Sequence, residues 1–247
     1  MILISPAKRL VDIENSSNLK SSEPIFQSEA NKLAEHMATL SSKELQSLMG
    51  VSEDIAKLNQ HRYNNWNNNN NLENRAIFQF EGDVYKNLDA SSLSNEEQDY
   101  LNKNLRILSG IYGVLKPSDS MNPYRLEMGT KHDFLGSKNL YEFWGSRIAD
   151  AINKELGDNY LFNLASEEYY AAVKKHLNSI RVVNFKFASL KDGKLKVIGI
   201  IAKRARGEMA RFLIKNKVNS LDPIKKFSGL GFSFQEFKDN EFVFVQK

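Results

Sequence analysis

Seven residues of types suited to phosphate capture and acid–base work stand out along the chain: Lys8, Asp83, Arg125, Glu127, Ser166, Tyr169 and Arg206. Lysine and arginine hold an anion, carboxylates move protons, and serine and tyrosine hydroxyls orient an oxygen. They come from distant segments, as the parts of an active site usually do. Arg125 and Glu127 stand two apart and share one side of an extended segment. The same spacing suits an ion pair that merely satisfies itself, so the pair alone selects neither role. Asp83 follows Gly82 and reads either as a helix cap or as a presented carboxylate. Converging in an enclosed pocket, these residues would make an enzyme for a nucleotide-like or other anionic small molecule.

A second set of residues points to a polyanion. The net charge of +4 conceals an uneven distribution: residues 1–173 carry 17 Lys+Arg against 24 Asp+Glu, whereas residues 174–226 carry 15 against 3. A block of one sign attracts partners of the other, nucleic acid among them, although it also serves as a solvated face. Lys8, Arg9, Lys203, Arg204, Arg206, Arg211 and Lys215 are the cations placed to neutralise DNA phosphates, largely without regard to sequence. An open basic groove would favour DNA and a narrow pocket around Arg125 and Glu127 would favour chemistry; DNA binding is the preferred reading and an enzymatic activity the alternative.

Composition removes other classes. The absence of cysteine excludes disulfides, iron–sulfur clusters and thiol peroxidases, and it fits a reducing cytoplasm. His36, His61, His132 and His176 lack the close spacing of a metal site, so no metal or cofactor is expected. The acids are spread through amphipathic helices, which ranks direct iron sequestration last. No apolar run is long enough to cross a bilayer and no cleavable leader pattern is present, so a cytoplasmic protein without a membrane partner is expected.

The positioning elements follow from periodicity. Met1 to Ile4 reads as a buried strand ended by Pro6. Apolar residues from Ile25 to Met49 recur at helical spacing, with Ser41 or Ser42 capping a second helix that Gly50 stops and Ser52 opening a third. Asn64 to Asn71 is a low-complexity surface loop, with Trp66 folding back onto the body. Ser94 opens another helix. Leu105 to Met128 passes Gly110 and Gly113, three apart among apolar residues, which suggests a tight turn with something packed against it. One helix is expected from Leu140 to near Gly157, then a strand at Tyr160–Leu164 with Ser166 as the next N-cap. Val182–Leu190 and Leu195–Ile201 read as a hairpin around Asp192-Gly193. A basic helix follows, in which Gly207 costs about 1 kcal/mol relative to alanine; a helix that tolerates this often has a backbone or a phosphate packed close by, or else the helix starts only after Gly207. Phe232–Phe237 and Glu241–Val245 form a last hairpin.

Several motifs together resemble one family. They are Ile4-Ser5-Pro6-Ala7-Lys8, Phe80-x-Gly82-Asp83-Val84-Tyr85, Leu105-Arg106-Ile107-Leu108-Ser109-Gly110-x-Tyr112-Gly113-Val114-Leu115, Pro123-Tyr124-Arg125-Leu126-Glu127-Met128-Gly129, Asn163-Leu164-Ala165-Ser166-x-Glu168-Tyr169 and Ala202-Lys203-x-Ala205-Arg206-Gly207-x-Met209-x-Arg211-Phe212. In this order, over nearly the whole chain, they resemble the YaaA family of bacterial peroxide-stress-resistance proteins. Asn87 stands where that family commonly has glycine, and the asparagine run looks like a local expansion. The resemblance implies a cytoplasmic protein that protects against peroxide by keeping intracellular free iron low. It implies a single compact domain over residues 1–247, of mixed α/β (α+β) class, with a mixed β-sheet flanked by helices. It also implies DNA binding through a positive cleft with a helix-hairpin-helix-like element, for which the Leu108–Gly113 turn is the candidate. Gly110 and Gly113 would present their amides to a phosphate there. No established catalytic residues come with the resemblance.

Overall fold

A computed structural model describes residues 1–11, 19–68, 74–177, 181–191 and 193–246. The apolar opening forms strand β1 (Ile2–Ile4), followed past Pro6 by β2 (Arg9–Leu10). Helices α1 (Gln27–Ala38), α2 (Ser42–Met49) and α3 (Glu53–Asn64) come next. Ser41 and Glu44 form a reciprocal cap on α2, Gly50 ends it at φ +59°, and Ser52 caps α3. Beyond them lie α4 (Ala76–Gln79), β3 (Phe80–Glu81), α5 (Asp83–Leu88) and α6 (Asn95–Asn104), the last capped by Ser94. Strands β4 (Leu105–Ser109) and β5 (Gly113–Leu115) precede α7 (Leu140–Trp144), α8 (Arg147–Leu156), β6 (Leu161–Asn163) and α9 (Glu167–Lys174). The chain continues through β7 (Val182–Lys191), β8 (Lys194–Lys196), α10 (Gly199–Lys215), β9 (Phe232–Lys238) and β10 (Glu241–Gln246).

The main sheet has the order β5-β4-β1-β6-β7-β10-β9, with β8 paired to β7, and β2 and β3 make a separate ribbon. Strands β4, β1, β6, β7 and β10 are mutually parallel, while β5, β8 and β9 pair antiparallel. Every residue of β1, β4 and β6 is buried, as expected of parallel strands covered on both faces. The fold is therefore mixed α/β with a mixed sheet flanked by helices. Strand β1 connects onward to β4 on one side of itself, and β6 connects onward to β7 on the other. The two connections diverge and open a crevice at the carboxyl ends of β1 and β6, the position where α/β sheets bind ligands.

Four local expectations change. The helix foreseen from Leu140 to Gly157 breaks at Gly145 (φ +52°, ψ −126°) into α7 and α8. The second strand of the Val182 hairpin stops at Lys196, and α10 begins at Gly199, three residues before the basic helix expected from Ala202; the Asp192 end of that turn lies outside the described residues. Leu108–Gly113 is a strand–turn–strand linking β4 to β5, not a helix-hairpin-helix. Its glycines are buried, because a Cβ at Gly110 would stand 2.3 Å from the Leu126 carbonyl oxygen and one at Gly113 2.9 Å from the Trp144 ring. The turn is tight and closely packed. Asn87 sits inside α5, donating to the Asp83 carbonyl at 2.7 Å, with the left-handed residue two places later at Asp89 (φ +47°); no turn falls at Asn87 itself. Trp66 is buried and donates to Asn31, while part of the asparagine run lies outside the described residues.

Candidate functional site

The crevice holds a cavity of about 480 Å³, and Lys8, Asp83, Arg125, Glu127, Ser166, Tyr169 and Arg206 all line it. Each arrives by a different route. Lys8 follows Pro6 at the end of β1, and Ser166 follows β6. Across the gap the Ser166 amide donates to Ser5 Oγ at 2.8 Å, and the Tyr85 hydroxyl donates to the Ser5 carbonyl at 2.9 Å. Ser166 occupies the N-cap position of α9, but its hydroxyl caps nothing; it accepts from Ser5 Oγ at 3.2 Å. Gly110 lets the Leu126 carbonyl pass close by, which seats Arg125 and Glu127 on the cavity wall. Gly207 does the same for α10: its missing Cβ would lie 2.2 Å from the Val84 carbonyl oxygen. That backbone-to-backbone approach of α10 to α5 places Lys203 and Arg206 at the cavity that Asp83 also lines.

Charge at the site is mixed. Glu127 receives Lys8 Nζ at 2.7 Å and Arg125 Nη2 at 3.2 Å. Arg125 Nε is buried and makes no hydrogen bond. Asp83 pairs with Arg204 at 3.1 Å, and Glu81 takes both Arg9 (2.5 Å) and Lys86 (3.2 Å). Arg206 is half-buried, and burial draws its pKa below the ordinary arginine value. Among the described residues no hydrogen bond or ion pair engages Arg206 or the exposed Lys203. Burial, reinforced by Tyr124, Glu168 and Glu127, pushes the Tyr169 hydroxyl far above its usual range. It stays protonated at any physiological pH. Glu168, which the sequence reading passed over, also lines the cavity and accepts from the Gly129 amide at 2.9 Å. Ser5 was missed as well; the signal for both was position, one just past a buried strand and the other in the first turn of a helix.

A larger cavity of about 830 Å³ adjoins the first and shares Lys8, Arg125, Glu127 and Glu168 with it. The Lys8–Glu127 pair therefore stands at the neck between the two.

The residues expected on DNA divide. Lys8, Arg9, Lys203 and Arg206 line the smaller cavity, and Arg204 is held at its edge by Asp83. Arg211 turns away: its Nη1 donates to the Leu88 and Asp89 carbonyls, each at 2.9 Å, and its Nη2 to Ser92 Oγ at 2.8 Å. Lys215 faces Glu97 on α6 at 3.8 Å. These two cations fasten α10 to its neighbours. Gly110 and Gly113 lie in the buried turn already described. Within the basic segment, Arg204 faces the Asp83 carboxylate, while Lys203 and Arg206 reach the cavity without a partner among the described residues.

Among the described residues no cluster of three or more His, Asp or Glu side chains could hold a metal ion, and no helix is long and apolar enough to cross a membrane. Comparison with known sequences matches residues 1–238 to the family described as peroxide stress protein YaaA. The chain is 42% identical over 246 residues to a UPF0246 protein of Clostridium beijerinckii, covering 98% of this chain and 95% of that one. It is 43% identical to a UPF0246 protein of Colwellia psychrerythraea, covering 100% of this chain and 99% of the relative. A UPF0246 protein of Idiomarina loihiensis is also 43% identical, with 100% and 98% covered.

Proposed function

Because the chain belongs to the YaaA family of peroxide stress proteins, we propose that it serves peroxide resistance by capturing an anionic, nucleotide-like small molecule in the 480 Å³ cavity and acting on it. The observation that carries this reading is Arg206. A guanidinium withdrawn from water without a counter-ion is costly, and the missing counter-ion belongs to the ligand. Arg125 adds the free Nε noted above, and Lys203 adds an exposed cation at the mouth. Glu127, between Lys8 and Arg125, is the candidate proton acceptor, with Lys8 as its acid partner. Ser166 and Tyr169 supply hydroxyls to orient the ligand, and Asp83 holds the wall through Arg204.

Calorimetric titration with AMP, ADP and pyrophosphate tests it. Saturable binding of at least one is expected, weakened about 10- to 100-fold by Arg206→Gln, the range of a charge-assisted hydrogen bond. No saturable binding, or equal affinity in the variant, would remove the proposal.

A second reading keeps the cleft and changes its occupant to DNA. It is favoured by Lys203 and Arg206, two unpaired cations one turn apart on α10, within the stretch of greatest positive charge. Lys8 and Arg9 face them across the cavity, and lower intracellular free iron is the physiological outcome attached to this reading. Duplex affinity measured by anisotropy over a salt series should then show a log–log slope that flattens by about 2 when Lys203 and Arg206 are both changed to Gln. A slope unaltered by the double change retires this surface.

A further inference from the structure

The two histidines His36 and His132 are 96 residues apart in sequence, yet their Nε2 atoms lie 3.1 Å from each other. His36 stands in the last turn of α1, and His132 in the segment between β5 and α7. Fully buried Phe134 packs edge-on against both rings, with centroids 6.0 Å from His36 and 5.2 Å from His132, which fixes their orientation. His132 opens onto the 830 Å³ cavity, and so does Glu44. Glu44 Oε2 is tied to Ser41, while its Oε1 accepts no hydrogen bond among the described residues.

We propose that His36 and His132 form a two-histidine site for a borderline divalent cation of the zinc type, independent of the ligand cavity described above. Imidazole nitrogens bind zinc at about 2.0–2.1 Å, and at ligand–metal–ligand angles from octahedral to tetrahedral two of them stand about 2.9–3.4 Å apart. The observed separation falls inside that span, so both rings reach one ion with little rearrangement. Without metal, one ring's Nε2–H donates to the other's Nε2 lone pair. Binding needs both lone pairs, so the donor ring carries its proton on Nδ1 instead and no net proton is released. Water from the cavity fills the remaining positions.

The test uses the whole chain, stripped with EDTA and exchanged into metal-free buffer. Titration with Zn²⁺ by calorimetry and with Co²⁺ by visible absorption should each show one saturable equivalent, and Zn²⁺ should raise the melting temperature. His36→Ala and His132→Asn should each abolish the saturable uptake, while His61→Ala and His176→Ala leave it unchanged. His132→Asn lies in a loop and carries the test if the helix variant fails to fold. Absence of saturable uptake overturns the proposal, and so does uptake that survives both His36→Ala and His132→Asn, since it would then belong to other surface groups.

Discussion

Replacing Gly207 by alanine tests whether the close crossing of α10 over α5 organises the site. In a solvent-facing helix the change would stabilise by about 1 kcal/mol. Here the new Cβ would stand 2.2 Å from the Val84 carbonyl oxygen and 2.9 Å from Asn87 Cβ, where ordinary contact starts at 3.4 Å. The helices must part by about 1 Å. Overpacking of this kind costs roughly 1–3 kcal/mol and occasionally more, and the nearest obstructing atom is backbone, which cannot rotate away. Allowing for the propensity gain, a net loss of about 2 kcal/mol is expected, or about 4–8 °C in melting temperature for a chain of this size. Urea and thermal denaturation read the loss, and nucleotide titration should weaken in parallel because Arg206 moves with α10. Gly199→Ala on the same helix is the control: nothing lies within 4 Å of its Cβ, so a change within about 0.5 kcal/mol is expected. A Gly207→Ala protein as stable as its parent would refute the argument that the crossing demands glycine.

Two further perturbations probe buried charge. Arg106 is buried in β4, where Glu155 Oε2 accepts from its Nε at 2.8 Å, and its Nη1 reaches the Asn102 and Leu105 carbonyls. Glu155→Ala should cost about 2 kcal/mol in urea denaturation, below the 3–5 of a fully buried pair because Glu155 is partly exposed; a loss under about 0.5 kcal/mol would show the backbone carbonyls suffice. Asp119 is buried, accepting from Ser22 Oγ at 2.6 Å and from the Lys116 amide at 2.7 Å, and burial raises its pKa above the ordinary 3.8. The folded state therefore holds this proton more tightly than the unfolded chain, so the group's contribution to stability grows as pH falls towards 3.8 and shrinks as pH rises through the folded value. The stability difference between the parent and Asp119→Asn should widen in the parent's favour from pH 7 to pH 4, and a constant difference would contradict the shift.

Local signals were strong enough to be read directly. The caps at Ser41, Ser52 and Ser94, the closing residue Gly50, the buried triplet Ile2–Ile4 and the last hairpin are set by interactions within a few residues. The penalty at Gly207 left open a close backbone, a phosphate or a helix starting later, and the tertiary structure selects the Val84 carbonyl. What failed was longer in range: the break at Gly145 divides a continuous apolar pattern, and Leu195–Ile201 carries strand-forming residues that α10 recruits at Gly199. The Gly110–Gly113 spacing suited a phosphate nest as well as a buried turn, and only Leu126 and Trp144, distant in sequence, distinguish the two.

By itself the sequence determined the residue types at the site, the family, and the caps and strands that present each segment. The tertiary structure decided which of those residues meet. Sheet order placed the ends of β1 and β6 side by side, and the α5–α10 crossing brought Arg206 and Asp83 to one cavity. The same folding assigned carboxylate partners to Lys8, Arg9 and Arg204 and sent Arg211 and Lys215 elsewhere. Charge is a property of a residue and legible in a string, but its neutralisation depends on neighbours a few ångströms away, which chain order does not specify.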